Sequence, residues 1–329
     1  MIERLGIIGC GLMGGSFALA LRHAGLVRHV AGYSRSPASS RRAVELGVID
    51  EACASAADAA RRADVVLLSV PVASTCEVLD AIRSTLAPEA LCMDVGSTKR
   101  DVAAAARAAL GPQVAGFVPA HPIAGKERAG VDAAEIGLYR NCRVILTPLA
   151  ETDPARTQRA RALWQAVGAV VSDMTPEDHD RMFAAISHLP HLLAFAYMAA
   201  VVQPPHGAQA LQLAGPGFRD FTRIAAGDPA MWRDILMANR DEVLAQAGSF
   251  RQALAEIEHS MIAGDAQALM AKIAAPSALR GAWRMGGGGC GMGAVIGAEM
   301  GAEVGAEVGA GMASGTGDYS GSAPADEAA

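Results

Sequence analysis

The feature that most constrains this chain is a glycine turn set between an apolar run and a helix. Leu5-Gly6-Ile7-Ile8 leads into Gly9-Cys10-Gly11-Leu12-Met13-Gly14, and Phe17-Ala18-Leu19-Ala20-Leu21 continues with helical patterning. In a strand–turn–helix unit the three glycines have separate tasks: the tight turn, close approach of backbone to a pyrophosphate, and close packing of helix on strand. The start of the helix then offers unsatisfied N–H donors and the positive end of a dipole to phosphate. Such an opening predicts an α/β fold with a parallel sheet. It marks Gly9, Gly11, Leu12, Met13 and Gly14 as dinucleotide-binding positions.

The following strands sharpen this. Val30-Ala31-Gly32-Tyr33 should end beside the adenosine ribose, about 20 residues beyond the glycines, where an NAD enzyme usually places Asp or Glu. Here stand Ser34, Arg35 and Ser36. With no carboxylate to repel a 2′-phosphate and an arginine able to grip one, NADP is favoured over NAD. If Arg35 only stacks on the adenine, either cofactor is accepted. Ala63-Asp64-Val65-Val66-Leu67-Leu68-Ser69-Val70-Pro71 has the near-continuous apolar character of a doubly buried parallel strand. Leu91-Cys92-Met93-Asp94-Val95 enters Gly96-Ser97-Thr98-Lys99, and Val114 to Val118 precedes His121. Arg143 to Thr147 and Ala169 to Ser172 are expected to extend the same sheet. Ligands of open α/β sheets sit beyond the carboxyl ends of the strands. Ser69, Val70 and Pro71 fall there as cofactor contacts, with Ser97 and His121 beside them. Ser97 is also readable as a helix N-cap.

His121-Pro122-Ile123-Ala124-Gly125-Lys126-Glu127 stands at the seam between this half and a helical one. A lone histidine at a strand end is more often structural than functional. At a seam between cofactor and substrate, an imidazole with an ordinary pKa of about 6.5 is also a candidate base.

Thr175-Pro176-Glu177-Asp178 spells a helix start, with a Thr cap, Pro in the first turn and Asp at the capping-box spacing. The expected division is therefore 1–174, 175–284 and 285–329. Pro190 lies inside the helical run. An interior proline costs about 3 kcal/mol unless tertiary contacts absorb it, so Ser187-His188-Leu189-Pro190-His191 reads as a kink. His188 and His191, three apart, share a face, but no third ligand lies close in sequence and no metal site is expected. Gly215 to Ala225 carries Arg219 and Arg223, and Asp228-Pro229 caps a further helix. Val243, Ala247, Phe250, Leu254, Ile257 and Met261 recur at alternating spacings of four and three, a helix–helix seam. If nearly all helical, 229–263 would run about 50 Å at about 1.5 Å per residue. A lone domain of about 100 residues, with a radius of gyration of about 13 Å, cannot cover that length. A homodimer through the C-terminal helices is expected.

Charge and composition exclude several alternatives. The net charge of −6 is concentrated at the end: from Gly281 onward one base faces six acids, leaving about −1 on the first 280 residues. No field for nucleic acid or an anionic membrane results. No uncharged apolar run reaches the roughly 18 residues of a membrane span, and no basic segment precedes the first apolar run as in a signal peptide. Cys10, Cys53, Cys76, Cys92, Cys142 and Cys290 show no CxxC spacing, which suits thiols in a reducing, cytoplasmic setting. Beyond Arg284 the Gly/Ala/Glu repeats cannot build a core and read as a flexible acidic tail.

Four motifs in this order resemble the prephenate/arogenate (cyclohexadienyl) dehydrogenase family. They are Gly9 to Ser16, Asp94 to Lys99, His121 to Glu127, and Ser187-His188-Leu189-Pro190-His191 followed by Phe218 to Ala225. The likeness covers roughly residues 4 to 285; the first motif is common to many dehydrogenases, the other three are far more specific. It implies a Rossmann-type domain and an all-helical dimerisation domain with the active site between them. It implies the removal of a hydride from prephenate or arogenate, loss of CO₂ and an aromatic product. His121 and Ser97 would then be catalytic, His191, Arg223 and Glu127 substrate-binding. A β-hydroxyacid dehydrogenase of similar architecture is the alternative enzyme, but it usually relies on a lysine in the helical domain, and beyond Lys126 only Lys272 is present. A non-catalytic NADP-sensing dimer would have no use for Ser97, His121, His191 and Arg223 together.

Overall fold

The structure, a computed structural model, describes residues 1–126 and 128–284. Six parallel strands alternate with helices: β1 (Ile2–Ile8), α1 (Leu12–His23), β2 (Val27–Tyr33), α2 (Pro37–Glu45), β3 (Glu51–Ala52), α3 (Ala56–Ala60), β4 (Val65–Leu68), α4 (Thr75–Ile82), β5 (Leu91–Asp94), α5 (Arg100–Leu110) and β6 (Phe117–Val118). The strands lie in the order β3-β2-β1-β4-β5-β6. Direction of progress reverses between β1 and β4, the switch point where open α/β sheets form their ligand crevice. Ile8 pairs with Leu68 and Leu68 with Asp94, so Gly9, Ser69 and Val95 leave the sheet at one level.

Apolar layers cover both faces. On one, Phe17 from α1 packs against Trp164, ring centroids 4.6 Å apart, and Tyr139 stands edge-on to Trp164. Burying such a side chain contributes about 1.5–3 kcal/mol. On the other face α3 and α5 present alanines, and the approach is close: a Cβ on Gly6 would lie 2.6 Å from the Ala59 carbonyl.

The expectation that Arg143 to Thr147 and Ala169 to Ser172 extend this sheet is corrected. β8 (Arg143–Leu146) and β9 (Val170–Asp173) form a second sheet with β7 (Ala120–Pro122), in the order β7-β8-β9, with α6 (Pro154–Ala166) between β8 and β9. The sheets part at Pro119. β6 pairs with β5, whereas the next pairing residue, Ala120, faces Leu146 antiparallel. Pro119 has no N–H for a ladder, and its carbonyl accepts from Thr147 N at 2.9 Å. The change of partner sets His121 opposite Ile145, at the mouth of the main sheet.

The helical part begins with α7 (Pro176–Phe183), capped as expected: Thr175 Oγ1 accepts from Asp178 N at 3.0 Å and donates to the Asp178 carboxylate at 2.9 Å. At Pro190 a π-helical turn, Ala184–His188, precedes α8 (Leu189–Val202), which has Pro190 in its first turn. The wider turn absorbs the hydrogen bond that proline cannot make. Then come α9 (Gly207–Gln212), α10 (Pro216–Thr222), α11 (Pro229–Ala238), α12 (Arg240–Ile262) and α13 (Ala266–Ala282). The expected continuous rod over 229–263 is divided at Asn239, whose backbone (φ −108°, ψ 29°) leaves the helix. Along the seam, Val243 and Ala247 are buried, while Leu254 and Met261 are 43% and 62% exposed. Pro176–Val202 is long and apolar enough, by length and composition alone, to cross a membrane. Its polar residues His179, Asp180 and His188 are nevertheless fully buried against the α/β part. Glu127 and the acidic stretch beyond Arg284 lie outside the described residues.

Candidate active site

The glycine turn has the shape its sequence implies. Gly9 takes φ +101°, and a Cβ there would strike the Ser69 carbonyl; one on Gly14 would strike the Gly9 carbonyl. A Cβ on Gly11 would meet nothing within 4 Å, and no side chain caps the first turn of α1. Open backbone at an uncapped helix start fits a dinucleotide pyrophosphate. Leu12 and Met13, half-buried, form that first turn. Two side chains expected at the cofactor also brace the turn: Ser34 Oγ accepts from Cys10 N and Ser69 Oγ from Gly14 N, each at 3.0 Å. Val70 is half-buried and Pro71 exposed at the end of β4. Arg35 lies exposed beyond β2, just before α2.

Behind His121 runs a chain of three side chains. His121 Nδ1 is 2.8 Å from His179 Nε2, and His179 Nδ1 is 2.8 Å from Asp180 Oδ1. A carboxylate can only accept, so His179 carries its proton on Nδ1; its Nε2 is then an acceptor, and His121 must donate from Nδ1. The lone pair of neutral His121 is thereby left on Nε2, which no hydrogen bond occupies among the described residues. Burial, reinforced by His179, Lys99 and His188, pushes the His121 pKa well below 6.5, so the ring is neutral. Burial lowers His179 too, against the opposing pull of Asp180. Burial works against the Asp180 charge, but the His179 N–H and the backbone N–H groups of Arg100 and Lys99 outweigh it and hold the carboxyl below its usual range.

Asp180 also corrects the reading of Ser97 as an N-cap. The first residue before α5 is Lys99, and the donors there are met by Asp180 from α7: Lys99 N at 2.8 Å and Arg100 N at 2.9 Å. Ser97 sits two residues too early, half-buried in the β5–α5 loop, with its backbone beside His188.

Asn239 ties the helical wall to this cluster. Its Oδ1 accepts from Arg100 Nη2 at 3.2 Å, so its Nδ2 is the group that meets the Asp180 carbonyl at 2.7 Å and His188 Nδ1 at 3.0 Å. His188 therefore accepts at Nδ1 and carries its proton on Nε2, which is buried without a hydrogen-bond partner. Burial pushes its pKa down to about 4. His191 stacks on Trp232, centroids 3.5 Å apart, and donates from Nδ1 to the Ser187 carbonyl at 2.9 Å. Its pKa is lowered by burial, and Arg223 acts in the same direction. Arg223 opens a 3₁₀ turn, Arg223–Ala226, that packs on α8.

The structure thus brings His191 near Arg223, and His121 and Ser97 near His188. Among the described residues no group of three or more His, Cys, Asp or Glu is placed to hold a metal. Lys272 lies at the surface, 3.5 Å from Glu256. No motif in the sequence assigns a role to His179, Asp180 or Asn239, or pairs Lys99 with Asp94. A signal for two of them exists: Pro176, His179, Asp180 and Phe183 fall at i, i+3, i+4 and i+7, and all four are buried. A His–Asp pair on the inward face of a helix needs partners.

A family model described as "Prephenate dehydrogenase, nucleotide-binding domain" matches residues 17–173, and one described as "Prephenate dehydrogenase, dimerization domain" matches 175–275. The chain is 37% identical to prephenate dehydrogenase of Bacillus subtilis over 74% of its own length and 66% of that protein's. It is 31% identical to cyclohexadienyl dehydrogenase of Zymomonas mobilis over 82% of its own length and 92% of that protein's. Among solved structures, prephenate dehydrogenase from Aquifex aeolicus in complex with hydroxyphenyl propionate and NAD+ superposes with a TM-score of 0.80 at 36% identity, covering 85% of this chain and 98% of that one.

Proposed function

Because this chain belongs to the prephenate dehydrogenase family, we infer that it oxidatively decarboxylates prephenate, arogenate or both with NAD(P)+, yielding 4-hydroxyphenylpyruvate or tyrosine. The observation that carries the reading is His121: neutral, 8% exposed, at the mouth of a dinucleotide-binding sheet, with its inner nitrogen tied up and its outer one left as a base.

A bound dinucleotide supplies the hydride acceptor. As hydride leaves the ring carbon that bears the hydroxyl, that carbon moves toward a carbonyl and its O–H becomes acidic; His121 Nε2 takes the proton. Loss of the ring carboxylate as CO₂ leaves an aromatic ring, and this step requires no further base. The substrate carboxylates call for fixed cations and donors. Arg223 offers a two-bond fork to them, and neutral His191, held flat on Trp232 with its Nδ1–H on the Ser187 carbonyl, presents Nε2 as an acceptor to the substrate. Glu127 is a further substrate position in this reading, and Ser97, in the loop that faces the crevice, orients the reacting pair.

For the cofactor, Ser34 and Arg35 in place of an acid favour NADP. For assembly, Ile186, Leu213, Met237 and Ile262 are 69%, 82%, 62% and 85% exposed, apolar side chains of the helical part of the kind that a second copy of the chain would cover in a homodimer. Assay of the purified protein with prephenate and arogenate, each with NAD+ and NADP+, tests the reading. Reduced nicotinamide should form with at least one pair, and no turnover with any of the four would overturn it.

A further inference from the structure

The chain of atoms behind His121 continues past the ring that meets the substrate. His121 packs against α7 and the loop before α5. The titratable or charged side chains that act on it are His179, Lys99 and His188, none of them a carboxylate. His179 lies one ring further in and differs in kind. It faces Lys99 as well, but Asp180 touches its Nδ1 at 2.8 Å, and Asp94 adds a second, more distant negative charge. Asp180 is itself fixed by two backbone N–H groups at the start of α5. A positive charge is therefore better placed on His179 than on His121, and the 2.8 Å contact between the rings is a route for it.

We propose that His179, held by Asp180, is a positioning residue that also relays the substrate's proton away from His121. The substrate O–H bond breaks as Nε2–H forms on His121. The Nδ1–H bond of His121 breaks as Nε2–H forms on His179. His121 ends neutral with its proton on Nε2, and His179 ends as an imidazolium whose Nδ1–H remains on the Asp180 carboxylate. Two protons move, none is created, and no oxidant beyond the dinucleotide is called for. After product leaves, return of the His179 proton to His121 Nδ1 and release of the Nε2 proton to water restore the starting tautomers. The proposal rests on the dehydrogenase reading above and adds to it where the charge goes.

The test uses single-turnover formation of reduced nicotinamide in mixtures of H₂O and D₂O. Turnover by the wild-type protein tests the reading itself; the curvature of rate against deuterium fraction tests the relay. Two protons in flight give a bowed plot, and a straight line for the wild-type protein would overturn the relay whatever any variant does. His179→Gln keeps an oxygen that can accept from His121 Nδ1 but cannot take the proton. It should slow the hydride step about tenfold or more, with KM little changed, and straighten the plot. Nitrogen-15 NMR of the histidines gives a readout independent of turnover: His121 should show its proton on Nδ1 and a bare Nε2. A proton on Nε2 in the free protein would also overturn the proposal.

Discussion

Lys99 and Asp94 form an ion pair closed to solvent on both sides: Nζ lies 2.5 Å from Oδ2, and the side chains are 0% and 3% exposed. Both also grip the residue before His121. Lys99 Nζ donates to the Ala120 carbonyl at 2.8 Å, and Asp94 Oδ1 accepts from Ala120 N at 3.0 Å. Substituting Lys99 by Met leaves a buried carboxylate without its counter-charge, so unfolding in urea should show a loss of about 3–5 kcal/mol. Adding Asp94→Leu should recover only part of it, because Ala120 N and Gly96 N would both lose their acceptor.

The base itself should be recognisable by its pH profile. Activity requires neutral His121, and burial holds its pKa well below 6.5. The acidic limb of kcat/KM should therefore fall well below pH 6.5. His121→Asn should lower kcat by about 10²–10⁴ with little change in KM. An acidic limb at or above 6.5, or near wild-type kcat in the variant, would count against His121 as the base.

Cofactor choice turns on the residues after β2. Arg35→Ala should raise KM for NADP about tenfold or more and leave NAD nearly unchanged, since a charge-assisted phosphate contact is worth about 1.5–3 kcal/mol. Equal effects on the two cofactors would show that Arg35 does not select between them.

Substrate binding should separate from chemistry at Arg223. Removing a fork that holds a carboxylate equally in ground and transition states raises KM far more than it lowers kcat. Initial-rate kinetics of Arg223→Ala should show that split; a fall in kcat alone would assign the arginine to the transition state.

Stability should carry the mark of the buried histidines. His188 has a folded pKa of about 4 against an ordinary 6.5, so the unfolded chain binds the extra proton between those values. Above pH 6.5 there is no penalty. As pH falls from 6.5 toward 4 the protein should lose stability, by about 3 kcal/mol from this group. His121, His179 and His191 are shifted the same way. His188→Gln should flatten the slope of unfolding free energy over that window, as chemical denaturation at several pH values would show.

How much of this was legible in advance depended on whether a residue's partner was near in sequence. The glycine turn is local, and its strand, cap and helix follow from neighbouring residues. The Thr175 and Asp228 caps are local too. The second sheet was not legible, because Pro119 changes the strand's partner from β5 to β8 and nothing in the apolar pattern records which partner a strand takes. Asn239 reads as an ordinary helix residue until Asp180, 59 positions earlier, appears beside its amide. The same holds for Asp180, whose contacts with Lys99 and Arg100 span 80 residues or more. Long-range polar partnerships are what the one-dimensional pattern leaves out.

The π-turn at Ala184–His188 also fixes the timing of a spiral. An α-helix advances about 100° per residue, so a residue added to a regular helix would rotate everything after it by about that angle, whereas a π-turn takes up the extra residue within one wider turn. His188, which closes the turn, and His191, which follows it, meet Trp232 on one side because the count from Thr175 includes that wider turn. Deleting Ala185 would let the segment relax to a regular α-helix with His191 still turned toward the indole. Forcing the full-length segment into a regular α-helix would instead swing His191 about a quarter of a circle from the indole, while the Thr175 cap, Asp180 and His179 stayed where they are. Loss of the π-turn alone, with every side chain still present, would uncouple the proton-handling half of the site from the half that receives the substrate.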